Sequence, residues 1–462
     1  MIHIKNSLKK DYVKSLVICF IIACLSLLPL VIKGGGFFVL TNDFDDQQIP
    51  FTIGLHNALL DGGLSGFSWD VDLGTSTLDA YSFYEAGSPF FWITMLFPAN
   101  AFPYIVAWLF MLKFAFAGMT SCLYLRRFVE NSKWAVLGSV LYAFSGFSLV
   151  NILFYHFHEA LVFFPLLLIG LERFKEKNDY IFFIFSIFIN CFVNYFFFIG
   201  EVIFLVIYYL FRFAGKDIKA LVLDLIKCIA CGILGVGMAA IIFLPSIIFV
   251  QGNPRTGAFP GILSMLTNDL STYIYLIKSM LIPTDAMTQP SIIYETNFSS
   301  YGLYLPLIGL GLVIAYVINR RDRLSKIIIY LAVASFIPLL CDVFYMYAAA
   351  QMRWWYMFDL MLVLASIRML EKPDAKAIKL GTGIYVGLIM VFIIIISIFN
   401  ATGFADIEWL RNGTRFYAYA VVAIIGALIT CFIAVKPVVR YNIIGTFVCI
   451  FSLGLTLTTC YI

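Results

Sequence analysis

The sequence has 462 residues, of which 62% are hydrophobic and 13% are charged, and its formal net charge is +4. Soluble domains carry about a quarter charged residues, so this composition excludes an ordinary soluble protein. Apolar runs of about 18 or more residues recur along the chain, without the alternating segments of a membrane β-barrel. We therefore predict an all-α, polytopic transmembrane helical protein, embedded in a lipid bilayer and with no nucleic-acid partner.

Apolar runs bounded by charged or turn residues predict about thirteen spans. The run 180–212 counts as two, because Asn194-Tyr195 near its middle indicates a tight turn. An outer loop at 251–301 divides the chain into an N-terminal module, 1–250, and a C-terminal module, 251–462. The predicted spans lie near 15–33, 103–124, 134–152, 159–171, 180–194, 198–212, 220–250, 302–318, 327–346, 355–369, 379–399, 416–435 and 441–459.

The distribution of charge predicts the orientation. With the N-terminus in the cytoplasm, 24 of the 31 Lys and Arg residues fall on the cytoplasmic side, as the positive-inside rule requires. Of the 27 acidic residues, 17 fall outside, and the C-terminus is then extracytoplasmic. Because function concentrates in loops, we expect the chemistry in the longest and most acidic outer loop, 34–102.

That loop begins with three carboxylates in the stretch "TNDFDDQQ", namely Asp43, Asp45 and Asp46. The segment 47–61 that follows predicts an amphipathic helix on the outer membrane surface, ended by Gly62-Gly63. A carboxylate between the bilayer and this helix is poorly solvated, which raises its pKa and makes it a general base near neutral pH. The alternative is a solvated loop in which Asp46 caps the helix.

The rest of the loop mixes carboxylates with aromatic residues. Asp70, Asp72, Asp79 and Glu85 alternate with rings such as Tyr81. Aromatic faces stack on the C–H surfaces of sugars, and carboxylates accept hydrogen bonds from sugar hydroxyls, so this mixture favours a sugar-binding site. An interfacial aromatic belt without a ligand accounts for the same composition.

Two further polar groups fall at the outer ends of spans. His156, His158 and Glu159 lie together in "NILFYHFHEA", where they could bind a metal, relay protons to a substrate or make structural hydrogen bonds. Arg353, beside Trp354 and Trp355, could hold a phosphate with two parallel hydrogen bonds, or could anchor its span at the interface.

One cation and one cysteine pair lie inside predicted spans. Lys113 is expensive in the membrane, so it is either functional or paired with a buried acid such as Glu201. Cys228 and Cys231 form a CxxC, but in an apolar helical run we interpret them as small packing residues.

Several stretches together resemble the bacterial YfhO family of membrane proteins. They are "TNDFDDQQIPF", "LGTSTLDAYSFYEAGSPFFWITMLFP", "LYAFSGFSLVNILFYHFHEALVFFPLLLIGLERF" and "RWWYMFDLMLVLASI". YfhO-like proteins are similar to GT-C glycosyltransferases, which take a sugar from a polyprenyl-phosphate carrier on the outer membrane face. By its position before the "QxxPF" segment, Asp43 matches the catalytic base of those enzymes, and Asp45 and Asp46 are weaker matches.

The resemblance implies an inverting glycosyltransferase. Asp43 would be the base, Arg353 would neutralise the leaving phosphate, and the acceptor would be a cell-envelope polymer such as lipoteichoic acid. The residues expected to bind substrate are Asp45, Asp46, Asp79, Tyr81, Glu85, His156, His158, Glu159 and Arg353. No metal is required, although Asp43 and Asp45 could instead hold Mg²⁺ or Mn²⁺. The alternatives are a transporter or flippase of a lipid-linked sugar, with which Lys113 is compatible, and a non-catalytic scaffold.

Overall fold

The computed structural model describes residues 2–62, 67–69, 71, 74–215, 217–251, 265–287, 289–293, 299–347, 351–436 and 441–461. Helices dominate these residues, which confirms the predicted all-α class. In chain order, helices α1 to α20 are Ile2–Lys33, Ile49–Leu60, Thr77–Tyr81, Pro89–Thr94, Phe102–Leu125, Ser132–Ala143, Gly146–Val150, His158–Lys177, Tyr180–Val193, Tyr195–Phe213, Ile218–Met238, Ala240–Gln251, Leu270–Leu281, Gly311–Arg320, Arg323–Phe336, Pro338–Cys341, Trp355–Glu371, Ala375–Thr402, Gly413–Ala434 and Tyr441–Cys460.

Shorter elements complete the described chain. A π-helical turn, Phe44–Gln48, leads directly into α2. Two short strands, β1 (Phe67–Ser68) and β2 (Thr75–Ser76), pair antiparallel within the first outer loop. Single 3₁₀ turns occur at Ala99–Ala101, Arg126–Phe128, Tyr155–Phe157, Asp342–Tyr345 and Phe404–Asp406.

Eight helical segments of the described chain are long and apolar enough to cross a membrane. The count becomes nine if α15 and the bent segment after it form one span, and three shorter apolar helices of the described chain fall below the length needed to cross. A polytopic membrane protein is therefore confirmed, while the number of thirteen spans stays a prediction. The eight segments are Lys10–Lys33, Ala99–Phe128, Ser132–Val150, Tyr195–Phe213, Ile218–Met238, Ala375–Thr402, Gly413–Ala434 and Tyr441–Cys460.

The predicted break in the run 180–212 is confirmed at Asn194. Helix α9 ends there and α10 begins, and the Asn194 side chain accepts hydrogen bonds from the amides of Phe196 and Phe197 at 3.1 and 3.3 Å. This is an N-cap, which satisfies amide groups that have no partner within the helix.

Three other predicted spans differ from the structure. The run 220–250 is divided at Ala239 into α11 and α12. The predicted span 302–318 becomes helical only at Gly311. The predicted span 327–346 bends by 119° at Ile337, because the following Pro338 has no N–H to continue the helix and restricts Ile337 to an extended conformation.

The helices of the N-terminal and C-terminal halves pack together. Helix α1 contacts both α5 and α20, and α6 contacts α5, α17 and α20. Small residues allow close approach: a Cβ added at Gly118 of α5 would lie 2.5 Å from the Cys19 sulfur of α1. The division at residue 250 stays a prediction, within a bundle whose halves are in direct contact.

Ion pairs connect the helix ends on one side of the bundle, which we call the basic end. They join the starts of α1 and α11, the ends of α5, α8, α10 and α17, the turn before α6, and the junction of α14 with α15. The pairs are Arg126–Asp11, Arg127–Glu176, Arg212–Glu172, Lys175–Asp224, Arg368–Asp322 and Lys372–Glu130. The first loop, 34–101, lies at the opposite end, which we call the outer end in keeping with the predicted orientation.

Candidate active site at the outer end

The first loop is fixed to α5 before it reaches its acidic residues. The Phe38 amide donates to the Pro103 carbonyl at 2.9 Å. The buried Phe44 ring packs between Phe38 and Phe110 of α5, with centroid separations of 5.4 and 6.5 Å. Phe44 lies between Asp43 and Asp45 in the sequence, so its burial against α5 fixes the position of the acidic turn on the bundle.

A helix is present in the predicted segment as α2, which begins after the π-helical turn and ends at Leu60, while its position on the membrane surface stays a prediction. It buries Thr52, Leu55 and His56 and leaves Leu60 exposed. Asp46 lies inside the π-helical turn and does not cap α2, whose N-terminus has no side-chain cap. The capping alternative for Asp46 is therefore wrong.

Asp43 is half-buried and belongs to a short polar chain. Its Oδ1 accepts a hydrogen bond from Gln47 Nε2 at 3.0 Å, and Gln47 Oε1 accepts one from the Tyr84 hydroxyl at 3.3 Å. Burial raises the pKa of Asp43, the charge of Asp46 raises it further, and the Arg353 guanidinium acts in the opposite direction. A raised pKa is what a general base near neutral pH needs.

The two neighbouring acids differ from Asp43. Asp45 Oδ1 accepts the Leu40 amide at 3.0 Å, a contact that closes the acidic turn. Burial raises the pKa of Asp45, and the Leu40 hydrogen bond partly offsets this effect. Asp46 is exposed. Asp45 thus holds the turn together, and Asp46 adds negative charge beside Asp43.

Arg353 precedes α17 and presents a cation to this turn. Its guanidinium lies over the rings of Phe157 and Phe196, 5.0 and 5.5 Å from their centroids, which favours the cation electrostatically. Its Nε is buried without a hydrogen-bond partner, and no described carboxylate lies within 4.0 Å. The geometry holds the guanidinium against two aromatic rings and leaves its Nε donor without a partner.

His156 faces the same region from the turn before α8. Its Nδ1 lies 2.8 Å from Gln48 Oε1, and its ring packs against Phe83 and Tyr84. Burial, together with the positive charges of Lys113 and Arg353, lowers its pKa well below the usual range, so the imidazole is neutral. With Nδ1 donating to Gln48, the buried and unpartnered Nε2 is an acceptor for a hydroxyl group.

His158 has different surroundings. Its Nε2 lies 3.0 Å from the Ser148 carbonyl, and its Nδ1 lies 3.3 Å from the Phe154 carbonyl. The ring packs on Phe110 and Phe114 of α5. Both nitrogens face backbone oxygens, so the structure gives His158 the contacts of a residue that fixes the 148–158 turn.

Glu159 is buried with Lys113. Glu159 Oε1 lies 2.8 Å from Lys113 Nζ and also accepts a hydrogen bond from the Ser88 hydroxyl. Lys113 Nζ donates in addition to the Tyr155 carbonyl at 3.0 Å. The pair joins α5, α8 and the first loop, and the side chain of Glu159 is 1% exposed. Glu159 therefore serves the framework of the site.

Lys113 is paired with a buried acid, as the structural alternative predicted, but the acid is Glu159 and not Glu201. Glu201 lies on α10, where it accepts a hydrogen bond from the Tyr356 hydroxyl of α17 at 2.8 Å. Helix α5 packs against α8, which carries Glu159, so the nearer acid takes the lysine.

Glu85 lies beneath α2 in a crevice with no room for a water molecule, which Gln48, Tyr81 and Tyr84 also line. Neither carboxylate oxygen has a hydrogen-bond partner, and burial raises the pKa of Glu85 to about 8, so the group is protonated at neutral pH. Tyr81 is 7% exposed and packs on the ring of Phe51.

The remaining acids of the loop contribute less. Asp79 belongs to α3, but its side chain is not described, and Asp70 and Asp72 lie outside the described residues. Among the described residues, no group of three or more His, Cys, Asp or Glu side chains is placed to hold a metal ion.

Comparison with known protein families gives one result. The model of the family described as "Bacterial membrane protein YfhO" matches residues 15–460. The chain belongs to the YfhO family. A search of curated proteins finds no match. The resemblance seen in the sequence is thereby confirmed, and with it a bacterial membrane protein family.

Sequence reasoning missed three polar residues of this YfhO member. Gln47, Gln48 and Tyr84 connect Asp43 and His156, yet none of the three was among the residues predicted from the sequence to bind substrate. The two glutamines follow the acids directly in "DFDDQQ", and two amides within an apolar chain were the available signal.

Proposed function

We propose that this YfhO-family chain is an integral-membrane glycosyltransferase of the GT-C type. It moves a sugar from a polyprenyl-phosphate carrier to a hydroxyl of a cell-envelope acceptor, such as lipoteichoic acid, on the extracytoplasmic face. One observation carries the proposal. Asp43, a half-buried carboxylate with a raised pKa, lies within the electrostatic influence of Arg353, a cation that forms no ion pair with any described carboxylate. One group suits proton removal and the other suits phosphate binding.

The reaction is a single displacement. Asp43 takes the proton of the acceptor hydroxyl, whose oxygen attacks the anomeric carbon as the bond to the lipid phosphate breaks. The phosphate leaves with the bonding electrons, and the configuration at carbon inverts. Arg353 stabilises the charge that develops on the phosphate, a contribution typically worth a few kcal/mol. His156 Nε2, which has no hydrogen-bond partner, and Tyr84, whose ring it contacts, are the groups that we propose hold sugar hydroxyls.

The test is transfer by purified protein in lipid nanodiscs, with radiolabelled undecaprenyl-phosphate hexose and lipoteichoic acid. Asp43→Asn should lower transfer by about a hundredfold or more while the protein stays folded and membrane-inserted. Asp61→Asn is the matched control, because Asp61 is an exposed carboxylate at the far end of α2. Chelation of divalent cations should leave transfer unchanged.

Two results would contradict the proposal at different levels. Near-normal transfer by Asp43→Asn would move the base to Asp45 or Asp46. Enzyme-independent release of the label, equal with and without wild-type protein, would remove the enzymatic function and leave a non-catalytic role.

The transporter alternative was compatible with Lys113, the one clearly central charge of the predicted spans. In the structure its ammonium group is 0% exposed and bonded to Glu159 and a carbonyl oxygen. A cation enclosed in this way does not line a path for a substrate, so it lends transport no support.

A further inference from the structure

The basic end contains two adjoining cavities that the proposed transfer reaction does not use. The larger, of about 330 Å³, lies between the α5–α6 turn and the end of α17. The smaller, of about 200 Å³, extends between α10, α15 and α17. Phe128 and Arg368 line both, so the two cavities share a wall.

Cations outnumber acids around these cavities. Three carboxylates line them, from Asp322, Glu130 and Glu371. Six cations line them: Arg127, Arg212, Arg320, Arg323, Arg368 and Lys372. The excess of arginine matters, because a guanidinium binds phosphate oxygens with two parallel hydrogen bonds and loses hydration more readily than a lysine.

Two of these arginines have no carboxylate partner among the described residues. Arg320 donates to the Lys372 carbonyl at 3.3 Å, and Arg323 donates to the Arg212 carbonyl. They flank the short turn between α14 and α15, one in each cavity. Arg127 has a buried Nε with no hydrogen-bond partner. Arg320 and Arg323 therefore bring positive charge to the cavities that no described carboxylate neutralises.

The smaller cavity has both charged and apolar lining. Arg212, Arg323 and Arg368 line it together with the buried side chains of Leu324, Ile327 and Leu364. The three apolar residues belong to α15 and α17 where these helices leave the basic end. An anion with an attached hydrocarbon chain matches this arrangement better than an anion alone.

We propose that the two cavities form a binding site for the phosphate group of an anionic amphiphile at the basic end, which the charge distribution predicts to be cytoplasmic. The phosphate lies among Arg320, Arg323 and Arg368, and the apolar part follows Leu324 and Ile327. Basic pockets between membrane helices bind anionic lipid head groups in this manner.

Native mass spectrometry of the full chain in detergent tests the site. Phosphatidylglycerol should be retained about thirtyfold more tightly than phosphatidylcholine, and Arg320→Gln with Arg323→Gln should abolish that preference. Lys376→Gln with Lys379→Gln is the matched control, because both lysines are exposed near the start of α18 and do not line the cavities. Arg320→Lys with Arg323→Lys keeps the positive charge and should give an intermediate lipid preference. This variant keeps the proposal testable if the glutamine variant does not fold.

A parallel titration with inorganic phosphate separates the two sources of the anion. Phosphate binding that the arginine substitutions remove, without any preference between the lipids, would keep the phosphate site and assign it to a soluble ligand. Equal retention of both lipids by the wild-type protein, together with no binding of phosphate, would overturn the proposal. Loss of the lipid preference in the lysine control, to the same extent as in the arginine variant, would also overturn it.

Discussion

Glu85 gives a quantitative test of how the outer end is built. Burial beneath α2 raises its pKa from the ordinary value of 4.5 to about 8. Between these two pH values the folded protein holds a proton that the unfolded chain releases. The folded state therefore binds more protons, and its stability falls as pH rises through this window.

The size of the effect follows from the shift. Each pH unit within the window costs about 1.4 kcal/mol, so the full shift corresponds to about 5 kcal/mol at and above the folded-state pKa. Glu85→Gln cannot titrate and escapes this cost. The difference in the free energy of unfolding, variant minus wild type, should rise by about 1.4 kcal/mol per pH unit from pH 4.5 to about pH 8 and then level off.

Reversible denaturation of both proteins in mild detergent, at several pH values across the window, measures this slope. A buried glutamine has its own unsatisfied hydrogen-bonding groups, which add an offset that does not depend on pH. The slope is therefore the informative quantity. If the difference in the free energy of unfolding between variant and wild type stays constant from about pH 5 to about pH 8, then Glu85 is already ionised in the folded protein.

Further predictions concern the groups around it. Lys113→Met and Glu159→Gln should each lower the free energy of unfolding by about 3–5 kcal/mol, because each leaves a buried partner without its counter-charge. The double variant should lose less than the sum of the two single losses, and additive losses in a double-mutant cycle would show that the pair is not coupled. If Asp43 is the base, the acidic limb of the pH profile for transfer should move to higher pH in Arg353→Gln and to lower pH in Asp46→Asn, since the first charge lowers and the second raises the pKa of Asp43. Measurement of kcat/KM against pH tests this, and a shift in the same direction for both variants would contradict it.

The sequence predicted those features that depend on local pattern. Helix type and approximate position follow from long apolar runs, and the break at Asn194 follows from a residue that favours N-caps. The bend at Ile337 had an equally local signal in Pro338, which the interpretation as one continuous span overlooked.

The non-helical stretch before Gly311 could not be predicted from apolarity. The Gly146 amide donates to the Tyr304 carbonyl at 2.8 Å, and a Cβ on Gly302 would lie 2.2 Å from the Gly146 carbonyl oxygen. Two backbones touch here, so tertiary contact takes the place of helical hydrogen bonds. Gly146 and Tyr304 are 158 positions apart, so the local pattern of apolar residues gives no sign of this contact.

The candidate site shows the same limit. The sequence identified Asp43, His156 and Arg353 as polar residues near the outer ends of spans, because polarity at such positions is unusual. It could not assign their partners, since Gln48 meets His156 across 108 residues. Pairing of Lys113 with a buried acid was predicted, but that the acid is Glu159 and not the suggested Glu201 escaped prediction for the same reason.

The unpartnered polar atoms of the outer end favour a ligand there. Gln48 Nε2, His156 Nε2, Arg353 Nε and both oxygens of Glu85 are buried without hydrogen bonds. Each such group costs about 1–3 kcal/mol, so a chain selected for stability alone would replace or pair them. Gln48 contacts His156 and shares a crevice with Glu85, and the charge of Arg353 reaches His156. Unpartnered buried atoms also occur elsewhere in the described chain, but Arg353 Nε lies in the region whose charge reaches Asp43, where a bound phosphate would supply the acceptor that it lacks.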